Sequence, residues 1–167
     1  MGVKVSSKGA DFKLMQKTVK DLNGKSVVVG CTGENGWLAR IHEYGCRIRV
    51  TPKMRAYLRH KGLFLKATTT EIVIPERSFL RAGFDKHHIE VLKTAEGVLP
   101  DVLLGTMSVD QYAEMVGLIL KGKIQDYAVS LKTPKNHPFT IEQKGSSNPL
   151  VDTGEMINSI SYEVQDG

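Results

Sequence analysis

Long apolar runs are missing from this chain: no stretch approaches the roughly 20 residues that a membrane-spanning helix needs. Met1 to Lys25 carries charges throughout and no apolar centre, so a secretory signal is not expected there. Cysteine is scarce. Cys31 and Cys46 cannot make a disulfide framework, and free thiols in a reducing compartment are the expectation. Acid is missing from one long segment. Between Tyr44 and Thr70 there are seven basic residues (Arg47, Arg49, Lys53, Arg55, Arg59, Lys61, Lys66) and no Asp or Glu. The whole chain has 23 basic and 18 acidic residues, which leaves 16 basic against 18 acidic elsewhere. All of the positive excess therefore sits in that segment, where its field would attract an acidic protein surface or a phosphate backbone. What is present in quantity is ordinary: 41% hydrophobic residues over 167 positions, enough for the core of one compact domain spanning 1–167.

Catalytic and metal patterns are absent as well. No His-Glu-x-x-His and no paired Cys-x-x-Cys supplies ligand spacing. His87 and His88 are helix neighbours that point about 100° apart, so they do not converge on a metal. His42-Glu43 is a pair without further ligands in register. Gly33 and Gly36 lack the lysine of a phosphate-binding loop. Leu150-Val151-Asp152-Thr153-Gly154 matches the short signature of aspartic proteases, but too little chain follows for the sheet and flap of a protease half. The reading preferred for Asp152 is a helix cap accepting from the Glu155 amide. No catalytic residue, metal ligand or cofactor is expected.

Periodicity gives an α+β chain: a small, mostly antiparallel sheet packed against two or three helices. Phe12, Met15, Val19 and Leu22 mark a helix over 10–22, ended by Asn23-Gly24. Ser26–Cys31 reads as a buried strand and Trp37–Tyr44 as a short helix. Arg47–Val50 alternates as a strand ending at Pro52. Residues 53–61 can form a basic helical turn with Arg55 and Arg59 on one face, and 63–65 and 70–74 read as strands, so 51–70 becomes a basic β-excursion. A helix follows from Phe79 to Val102, with a break or kink expected near Gly97 and Pro100. Ser108 and Gln111 form a capping box before a helix over 109–131 that contains Gly117 and Gly122. Two interior glycines cost about 1 kcal/mol each against alanine, so close approach of a neighbouring backbone, in the same chain or another, is expected at both. Residues 133–152 read as a long C-terminal loop or extended arm, with a short strand at 140–143 and a loop at 144–149. A short helix to Ser159 and a strand through Ile160, Tyr162 and Val164 complete the chain.

Four stretches in order carry a family resemblance: Ile41-His42-Glu43-Tyr44-Gly45; Ile74-Pro75-Glu76-Arg77-Ser78-Phe79-Leu80-Arg81; the run Lys144-Gly145-Ser146-Ser147-Asn148-Pro149-Leu150-Val151-Asp152-Thr153-Gly154-Glu155-Met156; and Ser159-Ile160-Ser161-Tyr162. In this order they resemble phage virion-morphogenesis and tail-completion proteins, the group that includes minor tail, neck and head–tail joining proteins. The resemblance covers Gly36 to Val164. It departs at Ser78, where the family often has proline; serine can cap the helix that follows.

The resemblance implies a structural protein, not an enzyme. It implies a closed ring, six-fold in the virion, at the head–tail junction or the head-proximal end of the tail. Connector or neck and tail-tube or tail-terminator proteins would be its partners. Its place would be the virion, and the bacterial host cytoplasm during assembly. Arg47, Arg49, Arg55, Arg59, Arg77 and Arg81 are the candidate residues for assembly or DNA contact, and Gly117 and Gly122 for helix packing. The alternative reading is a DNA-contacting module facing the lumen of the neck, with weak, non-specific binding. Segments 51–70 and 133–152 are candidates for arms that order on assembly.

Overall fold

The structure, a computed structural model, describes residues 9–167; the charged stretch Met1–Lys8 lies outside the described residues. The chain runs through α1 (Gly9–Asn23), β1 (Lys25–Cys31), a 3-10 turn, α2 (Gly36–Tyr44), β2 (Cys46–Arg49), α3 (Pro52–His60), β3 (Glu71–Ile74), α4 (Leu80–Leu103), α5 (Val109–Ser130), α6 (Pro138–Lys144), α7 (Glu155–Asn158) and β4 (Ile160–Asp166). The fold is α+β, with seven helices and two antiparallel sheets of two strands each among the described residues.

The long helices α4 and α5 form a hairpin, and the capping box starts the second one. Gln111 N donates to Ser108 Oγ at 3.1 Å, and Ser108 N to Gln111 Oε1 at 3.0 Å. Ala113, Gly117, Leu120, Ile124 and Ala128 follow at helical spacing and are buried. The ribbon of β1 and β4 lies against this helix, with Val27 opposite Val164 and Cys31 opposite Ile160. Phe79, Ile160 and Val102 are the largest fully buried side chains. Among the described residues, no helix is long and apolar enough to cross a membrane.

The two interior glycines of α5 differ. At Gly117 the ring of Tyr162 occupies the space that a Cβ would need. The neighbour is thus a side chain from β4, not the backbone expected. At Gly122 nothing lies within 4 Å, and no close approach is present within this chain.

Four local expectations are corrected. Helix α4 does not break at Gly97 or Pro100 but runs on to Leu103. Proline removes one amide there, and the orphaned carbonyl belongs to Glu96, an exposed residue. The stretch 63–65 is not a strand. Thr51 caps α3 by accepting from Met54 N at 3.1 Å, Pro52 takes the first helical turn, and 61–70 returns as irregular chain. The basic excursion is therefore a β2–β3 ribbon with a helix inserted between its strands. Residues 140–143 are helical, as part of α6 behind Pro138. Finally, Asp152 does not cap α7: Glu155 N donates to Thr153 Oγ1 at 3.4 Å.

Candidate functional site

Two of the stretches that carry the resemblance, 41–45 and 74–81, meet around two buried charged side chains, Glu43 and Arg77, which are 2% and 3% exposed. Helix α2 ends at Tyr44, and Gly45 turns the chain with φ +72°. A Cβ at Gly45 would sit 2.9 Å from both Glu76 N and Ile74 O, so only glycine passes this crossing. The close pass places the end of α2 beside the corner that opens α4, and Arg77 N donates to His42 O at 2.7 Å.

Glu43 then does what the expected Ser78 cap does not. Its carboxylate accepts from Phe79 N at 2.8 Å, Leu80 N at 2.9 Å and Arg81 N at 3.1 Å. These are amides of the first turn of α4, which have no partner inside the helix. Ser78 Oγ also donates to Glu43, at 2.8 Å, and Arg81 Nε does so at 2.9 Å. A negative charge at a helix N-terminus is favoured by the helix dipole. Burial opposes the ionised carboxylate. The Leu80 and Arg81 amides and the Ser78 and Arg81 side chains outweigh it and hold the Glu43 pKa below the usual carboxylate range.

Arg77 points inward and ties down the C-terminal segment. Its Nε donates to Pro134 O at 2.8 Å, and its Nη2 to Asn136 Oδ1 at 2.9 Å and to Lys135 O at 3.3 Å. Arg77 Nη1 lies 3.4 Å from His42 Nδ1. Burial first, then the charges of Arg77 and Lys144, push the His42 pKa down to about 4, so the ring is neutral near pH 7 and free to accept from the guanidinium. Asn136 Nδ2 donates to Pro149 O at 3.3 Å, and Lys144 Nζ to Val151 O at 2.8 Å. Asn148 Nδ2 donates to Val129 O at 2.7 Å, fastening the loop to the end of α5.

Residues 133–152 are therefore a docked segment, not a free arm. The donors that hold it come from Arg77, Asn136, Lys144 and Asn148, and its own Pro149 and Leu150 are buried. A cleft of about 350 Å³ remains beside it, bordered by Leu38, His42, Asn136, Lys144 and Asp152.

The six candidate arginines thus divide. Arg77 is buried and cannot contact a partner, which corrects its assignment as an assembly or DNA residue. Arg81 holds Glu43 and, through Nη2, Glu76 at 2.8 Å, and lies 4.6 Å from the centre of the Tyr44 ring. Arg55 is spent inside the excursion: it donates to Leu65 O, Lys66 O and Thr69 O at 3.1, 2.9 and 2.7 Å, standing in for the ladder that a strand would have supplied. Arg47 faces Glu71 at 3.6 Å across the ribbon. Arg49 and Arg59 are exposed, Arg59 with its guanidinium 6.0 Å from the Phe64 ring centre. Phe64 is 71% exposed.

The residue that sequence reasoning missed is Glu43, taken there only as half of a weak metal pair. A signal was available. An acid in the last turn of a short helix opposes the dipole of its own helix, so it needs a partner elsewhere. No family model, curated protein or solved structure matches the chain.

Proposed function

We propose that this chain is a structural protein of a tailed phage or prophage, assembling as a ring at the head–tail junction or the head-proximal end of the tail. The observation that carries the reading is the use made of the motif residues. Glu43, Arg77, Ser78, Arg81, Lys144 and Asn148 come from distant parts of the sequence, and their polar groups are bonded to one another or to backbone. Among the described residues, no buried side-chain nitrogen or oxygen lacks a partner. Groups so fully engaged are suited to holding a shape and poorly suited to attacking a substrate, for which a free nucleophile or base is needed. The excursion supplies the other half of the argument: a basic, aromatic surface with little of the chain packed against it. Partners in this reading are further copies of the chain and the connector, neck or tail-tube components on either side. Its location is the virion, reached by way of the host cytoplasm.

Deletion in a lysogen that carries the gene tests the reading directly. The expected result is DNA-filled heads and separate tails in electron micrographs, with infectivity restored by the chain supplied in trans. Normal joined particles from the deletion strain would refute it.

A further inference from the structure

Two unlike surfaces of this chain are left uncovered by the described residues, and they complement each other. The first is a groove of about 600 Å³ on the excursion, between α3 and the returning loop. Pro52, Ala56, Leu65 and Ala67 give it an apolar floor, and Phe64 and Arg59 form its rim. The second is a stripe on α4. Asp85, Ile89, Leu92 and Glu96 recur at spacings of four, three and four, so they share one face of the helix. All four are exposed; Ile89 is 58% and Leu92 56% exposed, which is unusual for branched aliphatics side by side. The stripe is apolar at its centre and acidic at both ends. The groove is apolar at its centre and cationic at its rim.

Resting on the self-assembly reading above, we infer that the α4 stripe of one copy docks in the excursion groove of the next. An amphipathic helix laid in an apolar groove is a common mode of recognition, with anchors at helical spacing. Charge segregation within the chain favours a second copy as the occupant. The segment from Tyr44 to Thr70 holds seven basic residues without an acid, and the rest of the chain carries 16 basic against 18 acidic residues. Two copies therefore attract head to tail, and opposed charges at the rim set the register. A phosphate backbone fits the groove less well. Its floor is apolar, Arg55 already serves three carbonyls, and Arg47 already faces Glu71. Because stripe and groove are different surfaces, each copy keeps one of each to offer, and such an interface closes into a ring when its rotation permits.

The test uses full-length protein and sedimentation velocity over a concentration series. One variant breaks the groove (Phe64→Asp with Arg59→Glu) and one breaks the stripe (Ile89→Lys with Leu92→Lys). The wild type is expected to associate. Each variant alone should be weakened by roughly tenfold or more, as for loss of an interface anchor. Mixed together, the two variants should form a one-to-one dimer that grows no further, because one intact groove and one intact stripe remain. All substituted positions are exposed, so far-UV dichroism should be unchanged. If a variant unfolds, Phe64→Ser or Ile89→Ser replaces it.

Variants that assemble as the wild type does would overturn this pairing and leave the ring reading in place. A mixture that stays monomeric would overturn it as well. So would wild-type protein that remains monomeric at every accessible concentration, and the lysogen experiment would then decide the ring reading independently. Loss of duplex DNA retention in the groove variant, with assembly unchanged, would assign the groove to nucleic acid instead.

Discussion

The knot around Glu43 and Arg77 and the excursion between Cys46 and Ile74 are adjacent in sequence and opposite in construction. In the knot, buried charges are matched donor for acceptor, and segments far apart in sequence are fixed against one another. In the excursion the cations are mostly at the surface, the aromatics Tyr57 and Phe64 face solvent, and the one well-bonded arginine, Arg55, serves only its own loop. Buried ionic groups cost desolvation, so where they persist they specify a geometry. Exposed basic and aromatic groups add little to stability, so where they cluster they point to a partner. The difference separates a framework from a contact surface.

The framework depends most on Glu43. Glu43→Ala leaves Arg81 Nε and three helix amides without their acceptor, and the expected loss is about 3–5 kcal/mol, read from denaturant unfolding. Glu43→Gln keeps one acceptor oxygen and should cost less. Arg77→Ala should cost about 2–4 kcal/mol and raise hydrogen exchange through 133–151, because the carbonyls it holds lose their donor. Arg77→Lys should rescue little, since an ammonium cannot span Pro134 O, Asn136 and His42 together.

Acid should act on the knot in two steps. The folded pKa of His42 is lowered to about 4, against about 6.5 for an unperturbed histidine. The unfolded chain therefore binds the extra proton first, and stability falls as the pH drops from about 6.5 toward 4. Glu43 has a depressed folded pKa, so its contribution is present above the unfolded carboxylate pKa and is lost as the pH falls through the lower, folded value. Midpoints measured across this range should lose their upper slope in His42→Gln and their lower one in Glu43→Gln.

The two glycines of α5 sharpen the comparison on a smaller scale. Gly117→Ala drives a methyl into the Tyr162 ring and should cost about 1–3 kcal/mol. Gly122→Ala meets open space and should stabilise by about 0.5–1 kcal/mol through helix propensity. Smallest of all, Tyr57→Ser and Phe64→Ser should change stability by only about 0.5 kcal/mol while impairing assembly.

Much of the framework was legible where the signal is local. The Ser108–Gln111 box, helix α5 and the strands β1, β2 and β4 depend on neighbours within a few residues and are legible from local pattern, although β1 is only part-buried and not the buried strand expected. Glu43 was not legible as a cap, because the amides that donate to it lie 36 to 38 residues away. Arg55 failed for a related reason: three carbonyls of the return loop bond to one side chain, so a β-rich stretch at 63–65 need not pair as a strand. The loop at 144–149 has the composition of a mobile segment, and it is held by Lys144, Asn148 and Asn136, the last of which is bonded in turn by the distant Arg77. Nothing in its own composition announces that.

Hydrogen exchange on the free and the assembled chain tests the division between framework and contact surface most directly. Slow exchange is predicted in α5 and across 133–151 in both states, with 61–70 exchanging fast in the free chain and gaining protection on assembly. Fast exchange across 133–151 in the free chain, or protection gained there on assembly and not at 61–70, would contradict the account.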